Sequence, residues 1–154
     1  GGGSAGGHVA ACTALVSGMD DADEEHSVSS MPNALVLFNP VVDLTLLPPG
    51  GHGASLLSDQ ERLELSPAHH VAAGLPPVII FHGLEDTTIP FGSVEQFCLQ
   101  MRSAGNRCEL VPFEGKGHGF FNYGRDDNVP YMETLRAADR FLIELGYLGG
   151  EPTV

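Results

Sequence analysis

Apolar residues in this chain fall into short blocks separated by Pro, Gly and Asn. Residues 34–38, Ala-Leu-Val-Leu-Phe, are apolar without interruption, with Pro32-Asn33 before them and Asn39-Pro40 after. Residues 77–83, Pro-Val-Ile-Ile-Phe-His-Gly, hold a second such run and end in a glycine turn. Continuous rather than alternating apolarity over strand length predicts strands buried on both faces, the signature of a parallel sheet. Residues 108–113 predict a third strand. Their alternation and the internal Pro112 suit a sheet edge.

Between these runs the apolar spacing changes to that of helices. Residues 7–16 are small and apolar, as expected of a helix packed tightly across a sheet, and Gly18 ends the segment. Residues 91–103 place Val94, Phe97, Cys98 and Met101 on one face, with Gly105 as the stop. Residues 131–145 predict a long last helix with Met132, Leu135, Phe141, Leu142 and Leu145 as core contacts, stopped by Gly146. Residues 41–74 are Pro/Gly-rich and irregular. Ser58-Asp59-Gln60-Glu61 has the form of a capping box, and Ser66-Pro67 of a turn. This stretch is expected to be a cap-like excursion above the sheet. Strands alternating with helices give an α/β class with a parallel sheet flanked by helices.

The 154 residues, 42% of them hydrophobic, suffice for one domain with a real core, assigned to residues 1–148 with a tail at 149–154. No apolar run reaches the length of a membrane span. A net charge of −13 argues against a nucleic-acid partner, which requires a basic face. Five of the acids lie in the run Asp20 to Glu25, expected to be a solvated loop. Cys12, Cys98 and Cys108 are odd in number and lack C-x-x-C spacing, so free, buried thiols are expected and neither a zinc site nor a disulfide framework. Composition and cysteine usage assign no compartment and no oligomeric state.

Three segments carry chemistry. Gly2-Gly3-Ser4-Ala5-Gly6 is a G-x-S-x-G nucleophile elbow, a sharp strand-to-helix turn that lifts the serine Oγ above a sheet. The second strand runs out into His82-Gly83-Leu84-Glu85-Asp86, where an acid can hold an imidazole in its working tautomer. Asp86 fits better than its neighbour Glu85 by its spacing to Ile89-Pro90. Gly117-His118-Gly119 follows the third strand, and its glycines allow the ring a close approach. His8, His26, His52, His69 and His70 have no comparable setting. The chain order Ser4, Asp86, His118 is that of α/β-hydrolases, not of chymotrypsin or subtilisin.

On these motifs the chain resembles the C-terminal half of an α/β-hydrolase of the esterase/lipase type. It is similar above all to the acetyl-esterase, hormone-sensitive-lipase-like and feruloyl-esterase-like groups. They share G-G-S-A-G-G-H at the elbow, H-G-x-x-D-x-x-x-P at the acid and G-H-G-F at the histidine. The resemblance implies Ser4 as nucleophile, His118 as general base and then acid, Asp86 as its orienting partner, and the Ala5 backbone N–H as an oxyanion donor. It implies a small ester as substrate, short acyl groups such as acetyl first among them, and neither metal nor cofactor. Phe120-Phe121-Asn122-Tyr123 and residues 42–65 are expected either to shape the pocket or to be the ordinary packing of a long loop.

Two other readings stand beside this one: a prolyl-oligopeptidase-type serine peptidase, and a non-enzymatic binding module on the same fold. The strand ahead of the elbow and the H-G-G-G-type oxyanion loop are expected to be missing; Gly50-Gly51-His52-Gly53 is reversed and misplaced for that role. Residues 34–38 would then form a bare edge, and the lost donor alone would cost about 10²–10³ in rate. The 154 residues by themselves are therefore expected to be inactive or nearly so.

Overall fold

The computed structural model describes residues 1–21, 23, 25, 27–47 and 56–152. The apolar runs form strands β2 (Leu35–Phe38), β3 (Val78–Gly83) and β4 (Cys108–Phe113), all parallel, in register Leu35 to Val78 and Val78 to Cys108. β3 lies in the middle and is buried along its whole length; β4 is the edge strand expected from Pro112.

The other edge corrects the sequence reading. Gly2–Gly3 forms a short strand, β1, paired parallel to β2 with Gly2 opposite Leu37 and Gly3 opposite Phe38. The elbow therefore does have strand residues leading into it, and the sheet has four strands in the order β1-β2-β3-β4. β2 is an inner strand whose C-terminal half is covered by β1. Two glycines carry no apolar signal, so this strand is invisible to hydrophobic patterning.

Helices α1 (Ala5–Leu15) and α3 (Phe91–Ser103) cover one face, and α4 (Val129–Glu144) covers the other. The period-2 alternation of the strands sorts the core into two layers. Leu35, Leu37, Val78 and Ile80 pack with Ala11, Ala14, Val94, Phe97 and Met101. Ile79 and Phe81 pack with Phe120, Ala138 and Phe141. Of the contacts expected on α4, Phe141 is buried, whereas Met132, Leu135, Leu142 and Leu145 are half-buried; Thr134 and Ala138 take the inner positions. Phe97 has no exposed surface. Phe97→Ala should cost about 3–5 kcal/mol by the cavity it leaves, read as a lowered denaturant midpoint.

The cysteines differ from expectation. Cys98 of α3 and Cys108 of β4 form a disulfide, with Cα atoms 5.5 Å apart. The pair is ten residues apart in sequence, across the return from helix to strand, and local spacing does not reveal it. Cys12 alone is a free thiol, and burial pushes its pKa up to about 11.

Within residues 41–74 the expected capping box is present: Ser58 accepts from the Glu61 N–H, Glu61 reaches back to Ser58, and α2 (Asp59–Glu64) follows. Arg62 anchors α2 by donating to the carbonyls of Leu44 and Leu47. Val41, Leu44, Leu47 and Ile89 form a small cluster beneath it. Residues 48–55, which include Gly50 to Gly53, lie outside the described residues.

Candidate active site

Three of the four strand ends each deliver one group. β1 delivers Ser4, whose φ of 52° and ψ of −119° are strained for a residue with a side chain. The turn is tight enough that a Cβ on Gly2 would lie 2.8 Å from the Gly6 carbonyl carbon, and one on Gly7 would lie 2.9 Å from the Gly2 oxygen. That close crossing explains the glycines around the serine. The Ser4 N–H donates to the Phe38 carbonyl at 2.8 Å, fixing the elbow to the end of β2.

β3 runs out to Asp86, which is nearly fully buried. β4 leads through a glycine loop to His118. The three predicted groups, up to 114 residues apart in sequence, meet in space. His118 Nε2 lies 3.0 Å from Ser4 Oγ, and His118 Nδ1 lies 2.8 Å from Asp86 Oδ2. The carboxylate fixes the proton on Nδ1, leaving Nε2 to accept from the serine hydroxyl. Ala5 is the first residue of α1, where backbone N–H groups have no carbonyl of the preceding turn to bond.

Asp86 is held from several sides. Its Oδ1 accepts from the backbone N–H groups of Thr88 and Ile89 at 2.8 and 2.9 Å. Its Oδ2 accepts from His118 and from Asn39 Nδ2 at 2.7 Å. Burial is the largest single influence and pushes its pKa up. The donors at Ile89, His118 and Thr88 together outweigh burial, and the carboxyl sits below its usual value. The neighbouring His82 is fully buried, with Nε2 2.9 Å from the Ile89 carbonyl and 3.4 Å from Asp86 Oδ2. Burial lowers the His82 pKa against the pull of Ile89 and Asp86. A histidine depressed in the folded state binds fewer protons there than when unfolded, so its contribution to stability is lost as pH falls below about 6.5.

The remaining candidates fall elsewhere. Glu85 is exposed, and its backbone N–H donates to the Lys116 carbonyl. His8 Nδ1 lies 2.9 Å from the Val41 carbonyl, a structural contact. His69 faces Asp43, and His70 Nε2 lies 2.8 Å from the Glu64 carbonyl. His26 and His52 lie outside the described residues. Among the described residues no cluster of three His, Cys, Asp or Glu has the geometry to hold a metal ion, and no helix is long and apolar enough to cross a membrane. Sequence patterns do not single out Asn39, and His82 enters them only as part of a motif. The signal the two share is a polar residue at the C-terminal end of a buried parallel strand, where site groups of α/β sheets collect.

A pocket of about 390 Å³ opens beside His118, lined by Gly115, Lys116, Phe120, Arg125 and Asp126. A larger groove of about 780 Å³ runs along α1 between Cys12, Met31 and Leu75, and none of Ser4, Asp86 or His118 lines it.

A parallel sheet delivering a serine at a strained elbow after β1, an acid after β3 and a histidine after β4 defines an α/β-hydrolase. Residues 1–135 match the prolyl oligopeptidase family, and the chain belongs to it. It is also similar to esterase 2 of Thermogutta terrifontis. Against the apo form of that enzyme it is 51% identical over 97% of this chain and 56% of the other, with a TM-score of 0.89. The same esterase has been solved with propionate bound, and that structure matches at 49% identity, 97% and 56% coverage and a TM-score of 0.84.

A probable isoprenylcysteine alpha-carbonyl methylesterase of Arabidopsis thaliana is 31% identical over 75% of this chain and 28% of its own length. A probable carboxylic ester hydrolase of Mycobacterium tuberculosis is 28% identical over 98% of this chain and 38% of its own length. The chain thus spans between about a quarter and two-fifths of these two curated relatives.

Proposed function

We propose that the protein is a serine carboxylic-ester hydrolase that works through an acyl-enzyme. The observation that carries this reading is the continuous chain Ser4 Oγ, His118, Asp86, with links of 3.0 and 2.8 Å. As a substrate carbonyl approaches, Ser4 Oγ bonds to its carbon while the hydroxyl proton passes to His118 Nε2. Asp86 stabilises the imidazolium without taking its proton. The oxygen of the tetrahedral intermediate accepts a hydrogen bond from the Ala5 N–H. Collapse expels the alcohol, which leaves with the proton from His118. Water, activated by the same imidazole, then releases the acid and restores Ser4.

Short acyl groups are the proposed substrate class. Their support is the similarity to an esterase solved with propionate bound, together with the modest pocket beside His118. The family match favours a second reading, a serine peptidase of the prolyl-oligopeptidase type. Half-identity to an esterase across almost the whole chain weighs against it.

Both readings are tested on the full-length protein. A fluorophosphonate should label Ser4, located by mass spectrometry, and acetyl to butyryl esters should turn over faster than a proline-containing peptide amide. Preference for the amide would move the assignment to the peptidase. A protein that binds esters and neither labels nor turns them over would be a binding module.

A further inference from the structure

Asn39 closes β2 and precedes Pro40. It is fully buried, and its backbone is left-handed, with φ of 42°. Its N–H donates to the Phe81 carbonyl at 2.9 Å, which pins it between the ends of β2 and β3. Its side chain reaches the carboxylate oxygen that also holds His118: Asn39 Nδ2 is 2.7 Å and His118 Nδ1 is 2.8 Å from Asp86 Oδ2. Reversing the amide would aim its carbonyl oxygen at the carboxylate, so Asp86 sets its orientation. In that orientation Asn39 Oδ1 is buried and has no hydrogen-bond partner among the described residues. A buried amide that leaves its oxygen unpaired to keep one N–H on a carboxylate is not explained by backbone packing.

We propose that Asn39 is a positioning residue of the hydrolase, occupying one lone pair of Asp86 Oδ2 so that the carboxylate keeps one rotation and one charge distribution toward His118. The proposal rests on the serine-hydrolase reading above. With Thr88 and Ile89 on Oδ1, and Asn39 and His118 on Oδ2, the four acceptor positions of the carboxylate are filled. Spreading the charge over four donors tempers its pull on the His118 ring. Without Asn39, the charge on Oδ2 falls on His118, the protonated ring is favoured, and the base form develops only at higher pH. The other groups facing this pair are Ser4 and His82; Arg125 Nη1 lies 3.5 Å from the His118 carbonyl, on the outer side.

The test is Asn39→Gly and Asn39→Asp in the full-length protein, because Gly and Asp both tolerate left-handed φ and leave the backbone in place. The acid limb of kcat/KM for a short-acyl ester should move up by about one pH unit in Asn39→Gly, and further in Asn39→Asp, where a second carboxylate joins the first. At neutral pH kcat should fall about tenfold with KM nearly unchanged. An NMR titration of the His118 ring should show the same upward shift without any turnover. If Asn39→Asp does not fold, Asn39→Gly and the ring titration decide. A kcat loss with an unmoved acid limb and an unmoved ring titration overturns the proposal, as does a profile identical to wild type. Turnover that survives Ser4→Ala would instead remove the hydrolase reading itself, whatever Asn39 does.

Discussion

Ser4→Ala and His118→Ala are each expected to lower kcat for a short-acyl ester by about 10⁶, and the double variant by about the same factor. In the proposed mechanism the serine and the imidazole act in one step. With Ser4 gone there is no proton for Nε2 to take, and with His118 gone the hydroxyl keeps its proton and attacks weakly. Their 3.0 Å contact makes them a single unit, so their losses do not add. Asp86→Asn should cost less, about 10⁴, because the ring remains in place with its preferred tautomer lost. Steady-state rates on material purified free of host esterases read all four variants. Losses in the double variant that multiply would mean the two residues serve different steps, and the acyl-enzyme assignment would fall.

Much of this arrangement is legible before any coordinates. A strand buried on both faces has no polar side to display, so β2 and most of β3 stand out as unbroken apolar runs. The helix near residues 91–103 is legible because Val94, Phe97, Cys98 and Met101 mark one buried stripe and Gly105 its end. The candidate site is legible for a different reason: Ser4, Asp86 and His118 each sit in a short local pattern, and their chain order limits the fold that can bring them together.

What escaped depends on contacts that no local pattern encodes. β1 consists of two glycines, so only its pairing with Leu37 and Phe38 makes it a strand. The Cys98–Cys108 bond forms because α3 packs back onto β4, a consequence of tertiary geometry. Asn39 looks like a strand terminator ahead of a proline. Its partner lies 47 residues away, and only the adjacency of β2 and β3 brings its amide to Asp86. Helix α1 begins at Ala5 rather than at residue 7, because the serine's own strained turn starts it.

Gly83→Ala is expected to lower kcat by at least about 10² while leaving the far side of the core intact. A Cβ at this position would lie 2.2 Å from the Lys116 carbonyl oxygen and 2.7 Å from its carbon. Both are backbone atoms, so no side-chain rotation relieves the clash. The same oxygen accepts from the Glu85 N–H at 2.9 Å, and the Leu84 N–H donates to Phe113 at 3.0 Å. The loop is thus clasped to the end of β3 two residues before His118. To admit a methyl group the strand end and the loop must separate by about an ångström, since real Cβ contacts start near van der Waals distance. Asp86 stays with β3 and His118 goes with the loop, so the 2.8 Å link between them bears the displacement. A misplacement of that size costs about 10² in a reaction that depends on alignment.

Gly92→Ala is the matched control. It sits in the first turn of α3, where an added methyl group would meet only open space, and a helical Gly-to-Ala change there should be neutral or stabilise by about 0.5–1 kcal/mol. The fluorophosphonate labelling rate of Ser4 and the thermal midpoint, read on both variants, separate the two effects. A Gly83→Ala protein that labels at the wild-type rate would show that the loop can shift without moving His118, and the clasp at Lys116 would then have no part in aligning the site.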